Sequence, residues 1–247
     1  MNSVPPPALR LLRVLLLFGI ALSLAACKST HVRTTVDFKD SFSLDGRTLV
    51  MVEPSIQLYQ MQASGVLEPK AEWTRLARKY FSVAVSDFLT QNNAKLAPDY
   101  FPDAKLPSEH RIRQVLALNY AVMGTIYQHS YLHVPLPTRG TKRRKPLSWT
   151  VGPGVQEIRK VTGADYMLTL DIFDAYTSKG RAAMMVLGVA LQLGILQGGS
   201  QRGIATLVDL ETGDVVWFNV MTDQLGDLRD QEGATVTAHR LLKGLPL

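Results

Sequence analysis

One cysteine, Cys27, is all that the 247 residues contain. An internal disulfide is therefore excluded, and stability has to come from a buried core. The usual catalytic signatures are missing too. There is no Gly-Lys pair and hence no phosphate-binding P-loop, no Gly-x-Ser-x-Gly turn, no Ser-x-x-Lys and no His-Glu-x-x-His. Aromatic residues make up 8% of the chain and do not interleave with Lys and Arg in a base-stacking stripe. These absences point away from an enzyme and from a nucleic-acid partner.

Some chemistry-bearing residues remain to be weighed. Asp165, Asp171, Asp174, Asp209 and Asp214 fall near expected strand ends, and Asp171 with Asp174 is the nearest approach to a carboxylate pair. No histidine accompanies them in sequence, so turn and edge duty is expected. His129 and His133 stand four apart but lack a carboxylate or cysteine at metal-ligand spacing, so no metal is expected there. Gly152 to Val155 (GPGV) precedes a helix and could receive an anion at its N-terminus; two glycines read more simply as a loop.

What is present begins at the N-terminus. Arg10 and Arg13, the apolar run Val14 to Leu24, and the small residues Ala25 and Ala26 before Cys27 have the layout of an export signal. Leu24-Ala25-Ala26-Cys27 resembles the lipobox of bacterial lipoproteins. That resemblance implies cleavage between Ala26 and Cys27 and a diacylglycerol thioether and an N-acyl chain, palmitate among them, on Cys27. Two or more acyl chains give a stable anchor where one does not. Lys28 follows where, in that family, aspartate tends to retain the protein at the inner membrane. The expected location is thus the outer membrane, facing the periplasm, with the covalent lipid as the only non-protein group.

Loss of residues 1–26 removes Arg10 and Arg13 and leaves 25 basic against 21 acidic side chains, a net charge of +4. The remaining length suits one domain. Its one basic cluster, Arg139, Lys142, Arg143, Arg144 and Lys145, is framed by Pro135, Pro137, Gly140 and Pro146 and is expected to be a loop. A solvated loop is the plain reading, and contact with an anionic surface the functional one.

Residues 27–46 read as the lipidated cysteine and a polar tether, and 47–247 as the domain. Arg47 to Val52 predicts a buried strand, with Ser55 to Tyr59 extending it. After Pro69 comes a helix whose Trp73, Leu76, Ala77, Tyr80, Phe81, Ala84 and Phe88 recur at helical spacing as far as Asn92-Asn93. Ser108 is the expected N-cap of a second helix with Ile112, Val115, Leu116, Val122, Met123, Ile126 and Tyr127 on one stripe. A third helix, Gly154 to Thr162 closed by Gly163, leads into the strand Asp165 to Ile172. Gly203 to Leu210 and Asp214 to Met221 form a hairpin around Gly213, and Gln231 to Lys243 is a last helix ended by Gly244. The order predicts a mixed α/β fold with one sheet and helices packed against it.

A strand opening on Gly163-Ala164-Asp165, a Gly-rich segment, and Ala205 to Trp217 (ATLVDLETGDVVW) together resemble the superfamily of envelope lipoproteins that includes the curli-secretion channel and the lipoprotein activators of penicillin-binding proteins. The resemblance implies a non-enzymatic α/β domain related to the N-terminal domain of TolB. It also implies a role in envelope assembly, secretion or activation of a partner.

Between Arg181 and Arg202 lie twenty residues without a charge. The apolar part, Ala182 to Leu196, spans ~22 Å as a helix, short of the roughly 30 Å of a bilayer core. In the curli channel family the corresponding insertion contributes a membrane-spanning hairpin to a ring-shaped pore. Such a hairpin alternates apolar and polar residues, and Met184 to Leu187 does not. A short apolar helix is expected instead, with Ala190, Gly194 and Gly198 along one face. It reads as a core helix, as a helix docking onto a partner or lipid, or as the pore hairpin. The functional expectation is a lipid-anchored envelope protein working through protein contacts, with a self-associating ring or pore component as the alternative.

Overall fold

The computed structural model describes residues 30–34, 44, 46–136, 147–192, 196–222 and 226–247. The export signal, Cys27, the basic cluster Arg139 to Lys145 and Gly194 lie outside them.

Strand β2 (Thr48–Met51) is followed by β3 (Ser55–Met61) and β4 (Leu67–Pro69), then helix α1 (Ala71–Gln91) and the short β5 (Lys95–Leu96). Helix α2 (His110–Ile126), helix α3 (Gln156–Thr162), β6 (Tyr166–Thr177), helix α4 (Lys179–Ala190), β7 (Ser200–Asp209), β8 (Val215–Met221) and helix α5 (Gln231–Leu241) complete the order. Ahead of them all stands β1 (Thr30–Thr34). It pairs antiparallel with β8 and so places a strand inside the stretch expected to be a tether. THVRT carries a single apolar residue, Val32, and so has no alternation that would mark it as a strand.

The sheet runs β1-β8-β7-β6-β2-β5, with β3 also on β6 and β4 on β3. β6, β7, β8 and β1 are antiparallel in turn, whereas β2 and β3 run parallel to β6, which makes the sheet mixed. Twelve residues long, β6 takes two partners end to end on one edge. β2 covers Tyr166 to Leu168 and β3 covers Asp171 to Thr177. Pro54 sits at the break, where a residue without an N–H belongs.

Successive side chains of a strand face opposite ways, and two cores result. On one face Leu168, Leu207 and Trp217 pack with Phe81 and Leu89 of α1 and Ala238 and Leu241 of α5. On the other, Met167, Val208 and Phe218 pack with Ile112, Met123 and Ile126 of α2 and Ile158 of α3. The three layers are the mixed α/β fold expected from the sequence.

Several local signals act as read. Gly163, Gly213 and Gly244 have φ of 67°, 83° and 77°, and the apolar stripe of α1 is buried or half-buried. Two details differ. Ser108 lies inside a 3-10 turn, Pro107–Glu109, and α2 has no side-chain cap bond, because Pro107 opens the tighter turn first. β6 runs five residues past Ile172, carrying the buried Asp174 with it.

Candidate functional site

At the C-terminal end of α2 the helix widens into a π-helical turn, Tyr127–Tyr131, with the Leu132 amide donating to the Tyr127 carbonyl at 3.1 Å. Such turns reorient side chains within a helix and are frequent at functional sites. Here Tyr127 and Tyr131 stack at 5.2 Å. Below them a cleft of about 420 Å³ opens between α2 and the sheet, lined by Ser55, Tyr120, Met123, Tyr127, Gln128, Leu132, Asp171, Arg202 and Ile204 among others.

Arg202, on β7, is the charge at its centre. Its guanidinium lies 5.3 Å from the Tyr127 ring and 5.9 Å from the Phe173 ring, and Nη2 is 3.7 Å from Asp171. Its Nε is enclosed without a hydrogen-bond acceptor. The Tyr120 hydroxyl donates to the Glu53 carbonyl at 3.1 Å. Burial pushes that phenol well above its ordinary range, with the carboxylates of Asp171 and Glu53 adding to it. Arg202 is thus a cation framed by aromatic rings and paired with Asp171 in a cleft of mixed polar and apolar lining.

The sequence reading placed Asp171 beside Asp174 as a conceivable pair; the fold separates them. Three residues apart on a strand, they face opposite sides of the sheet. Asp174 is 4% exposed on the far face, accepting from Tyr176 Oη at 2.6 Å and Gln201 Nε2 at 2.8 Å. Burial raises its carboxyl to about 6, against the pull of those two donors. Gln201 also donates to the Gly226 carbonyl, and the Leu228 amide donates to Tyr176 Oη, so the cluster holds the chain after β8 against the sheet. Arg229 closes it, 4.0 Å from the Tyr176 ring and 4.9 Å from Trp73, while ion-paired to Asp227.

The other aspartates serve structure. Asp165 accepts from the Thr48 amide and lies 3.5 Å from Arg159. Asp209 accepts from the amides of Glu211 and Thr212 in the hairpin turn, and Asp214 bridges to Thr150. GPGV braces that same turn, since Gly152 lies against Gly213. His129 Nδ1 meets the Val134 carbonyl at 2.9 Å, and His133 adopts a left-handed φ of 60°. Among the described residues no three His, Cys, Asp or Glu side chains converge as metal ligands.

A second feature occupies one end of the sheet. The uncharged segment does form a helix, α4, capped by Ser178 Oγ accepting from the Arg181 amide. Its reading as a core helix is overturned, because only Arg181 and Gly188 of it are buried. Met184, Val186, Leu187, Val189 and Leu191 are 48–70% exposed. Of the expected Ala190, Gly194 and Gly198 face, only Ala190 lies within a helix among the described residues. The helix ends at Ala190, Gln192 turns to a φ of 55°, and Gly198 returns against Met185 and Thr177. Arg181 fixes the base of the projection, donating from Nε to the Gln197 carbonyl at 2.8 Å and from Nη1 to the Ala63 carbonyl at 3.4 Å. No helix among the described residues is long and apolar enough to cross a membrane.

No protein-family model matches the chain, and no curated protein matches it. Solved structures do. A PelC dodecamer from Paraburkholderia phytofirmans is 11% identical at a TM-score of 0.39, over 88% of this chain and 96% of that one. A variant PelC dodecamer from the same organism, with a leucine replaced by methionine, is 10% identical at the same TM-score, over 89% of this chain and 100% of that one. Lipoprotein GNA1162 from Neisseria meningitidis is 13% identical at a TM-score of 0.30, over 71% of this chain and 81% of that one.

Proposed function

We propose that the chain is exported, acylated at Cys27, held in the outer membrane facing the periplasm, and active through contact with another envelope protein in envelope biogenesis or secretion rather than through catalysis. The observation that carries the contact reading is the cleft at the π turn. Tyr, Trp and Arg dominate the energetics of protein interfaces when they sit in a well-packed pocket, and here Tyr120, Tyr127 and Arg202 share one recess. Support for the anchor comes from the residues around Cys27, with Lys28 in the position that favours the outer membrane by resemblance.

Two experiments test the two halves. Cys27→Ser is expected to abolish incorporation of labelled palmitate and to release the protein from the membrane fraction; a variant that still labels and sediments would sink the anchor. A photo-crosslinking residue at Tyr127 in cells is expected to give one adduct of fixed mass, reduced at least tenfold by Arg202→Glu. Absence of an adduct, or one indifferent to Arg202, removes the cleft as the contact site.

A further inference from the structure

The pairing register places the two ends of the molecule. Thr30 stands opposite Met221, Met221 opposite Gly203, and Gly203 opposite Ile172. Because β1, β8, β7 and β6 are antiparallel in turn, β1 runs against β6 and begins at the end of the sheet toward which β6 runs. The chain therefore enters β1 at the same end from which α4 departs. Cys27 precedes Thr30 by three residues, an extended reach of at most about 11 Å.

From Ile172 to Thr177 β6 climbs five residues, about 17 Å, before Ser178 starts the projection. Thr30 pairs at the level of Ile172, offset sideways from β6 by three strand spacings, about 14 Å. A lipid-bound helix buries its apolar side roughly 5–10 Å into the headgroup and acyl boundary.

The chemistry of this end fits lipid. α4 presents Ala182, Ala183, Met184, Val186, Leu187, Val189 and Ala190 to solvent nearly all round, without a charge between Arg181 and Arg202. The β3–β4 turn joins it, with the Ser178 amide donating to the Met61 carbonyl at 3.0 Å and Val66 64% exposed. At twelve residues α4 is ~18 Å long, too short to cross the ~30 Å core and suited to lying along it.

We infer that α4 and the β3–β4 turn dip into the leaflet that holds the acyl chains of Cys27, so that the domain is seated on the membrane at one end of its sheet instead of hanging from a free tether. The inference rests on the anchor proposed above and goes beyond it in naming what covers the apolar end. The seat orients the protein, because a second point of attachment removes rotation about the first.

The test uses the lipidated full chain carrying Val186→Cys. With the Cys27 thiol consumed by lipid, the new thiol takes an environment-sensitive fluorophore alone. In phosphatidylethanolamine–phosphatidylglycerol vesicles with nitroxide-labelled lipid, the Val186→Cys probe is expected to be quenched at least threefold more than one at Glu211→Cys, in the turn at the opposite end of the sheet. Flotation of each preparation with the vesicles reads the anchor separately. Protein that fails to float overturns the anchor and the inference together. Floating protein whose Val186→Cys probe is unquenched by lipid and open to aqueous iodide overturns the inference alone. A probe closed to both quenchers, in particles of multiple mass by light scattering, overturns it in favour of a second copy.

Discussion

Gly213→Ala is expected to cost about 3–5 kcal/mol of stability and to lower the thermal unfolding midpoint by about 10 °C. A Cβ at this position falls 2.3 Å from the Gly152 carbonyl oxygen and 2.7 Å from its carbon, which are backbone atoms with nowhere to swing. It would also impose a left-handed φ of 83° on a residue with a side chain, worth about 1–2 kcal/mol. The segment displaced is the one that binds the hairpin: the Val151 amide donates to the Gly213 carbonyl at 2.8 Å, and the Val215 amide to the Trp149 carbonyl at 2.8 Å. Gly163→Ala separates the two contributions. Its φ is 67° and nothing lies within 4 Å of the added carbon, so its loss reports backbone strain only. Equal midpoints for the two variants in a circular dichroism melt would refute the close approach as the cause.

Asp174→Asn is expected to stabilise the protein by up to about 3 kcal/mol at pH 8 and to leave it nearly unchanged at pH 4. In the folded chain burial lifts the carboxyl to about 6, from an ordinary 3.8. Between those values the native state holds a proton that the unfolded chain has released. Stability from this group is thus complete below pH 4, falls as pH rises to 6, and stays reduced above that. The amide is neutral throughout and still offers an oxygen to Tyr176 and Gln201. Urea unfolding of both proteins from pH 4 to 8 reads the difference between them, which cancels the opposite acid response of paired carboxylates such as Asp227, whose neighbour Arg229 holds it below the usual range. A difference that does not change with pH would show that Asp174 ionises as freely in the fold as outside it.

Legibility in the sequence followed the physics of each element. The stripe of α1, the hairpin of β7 and β8 and the positive-φ glycines are local signals, and each appears in the fold. β1 escaped because a polar edge strand has no pattern to distinguish it from a linker. The polar end of β6 escaped because Asp174 and Tyr176 satisfy one another only after Gln201 and Leu228 arrive from distant segments. The α4 helix was readable from its composition, whereas its exposure was not: an apolar run states what a helix must bury and not whether the rest of the chain covers it. The cleft was invisible for a similar reason, since Arg202 and Tyr127 are 75 positions apart, and a π turn has no periodic signature.

The pairing of β1 with β8 also sets an order of events. Thr30 and Met221 are 191 positions apart, so one of the first strands in the chain waits for one of the last. Closing so long a loop is slow compared with forming the local β7–β8 hairpin. The edge of β8 accordingly stays open until β1 docks on it. Docking of the N-terminal strand then covers that edge and completes the row β1-β8-β7-β6.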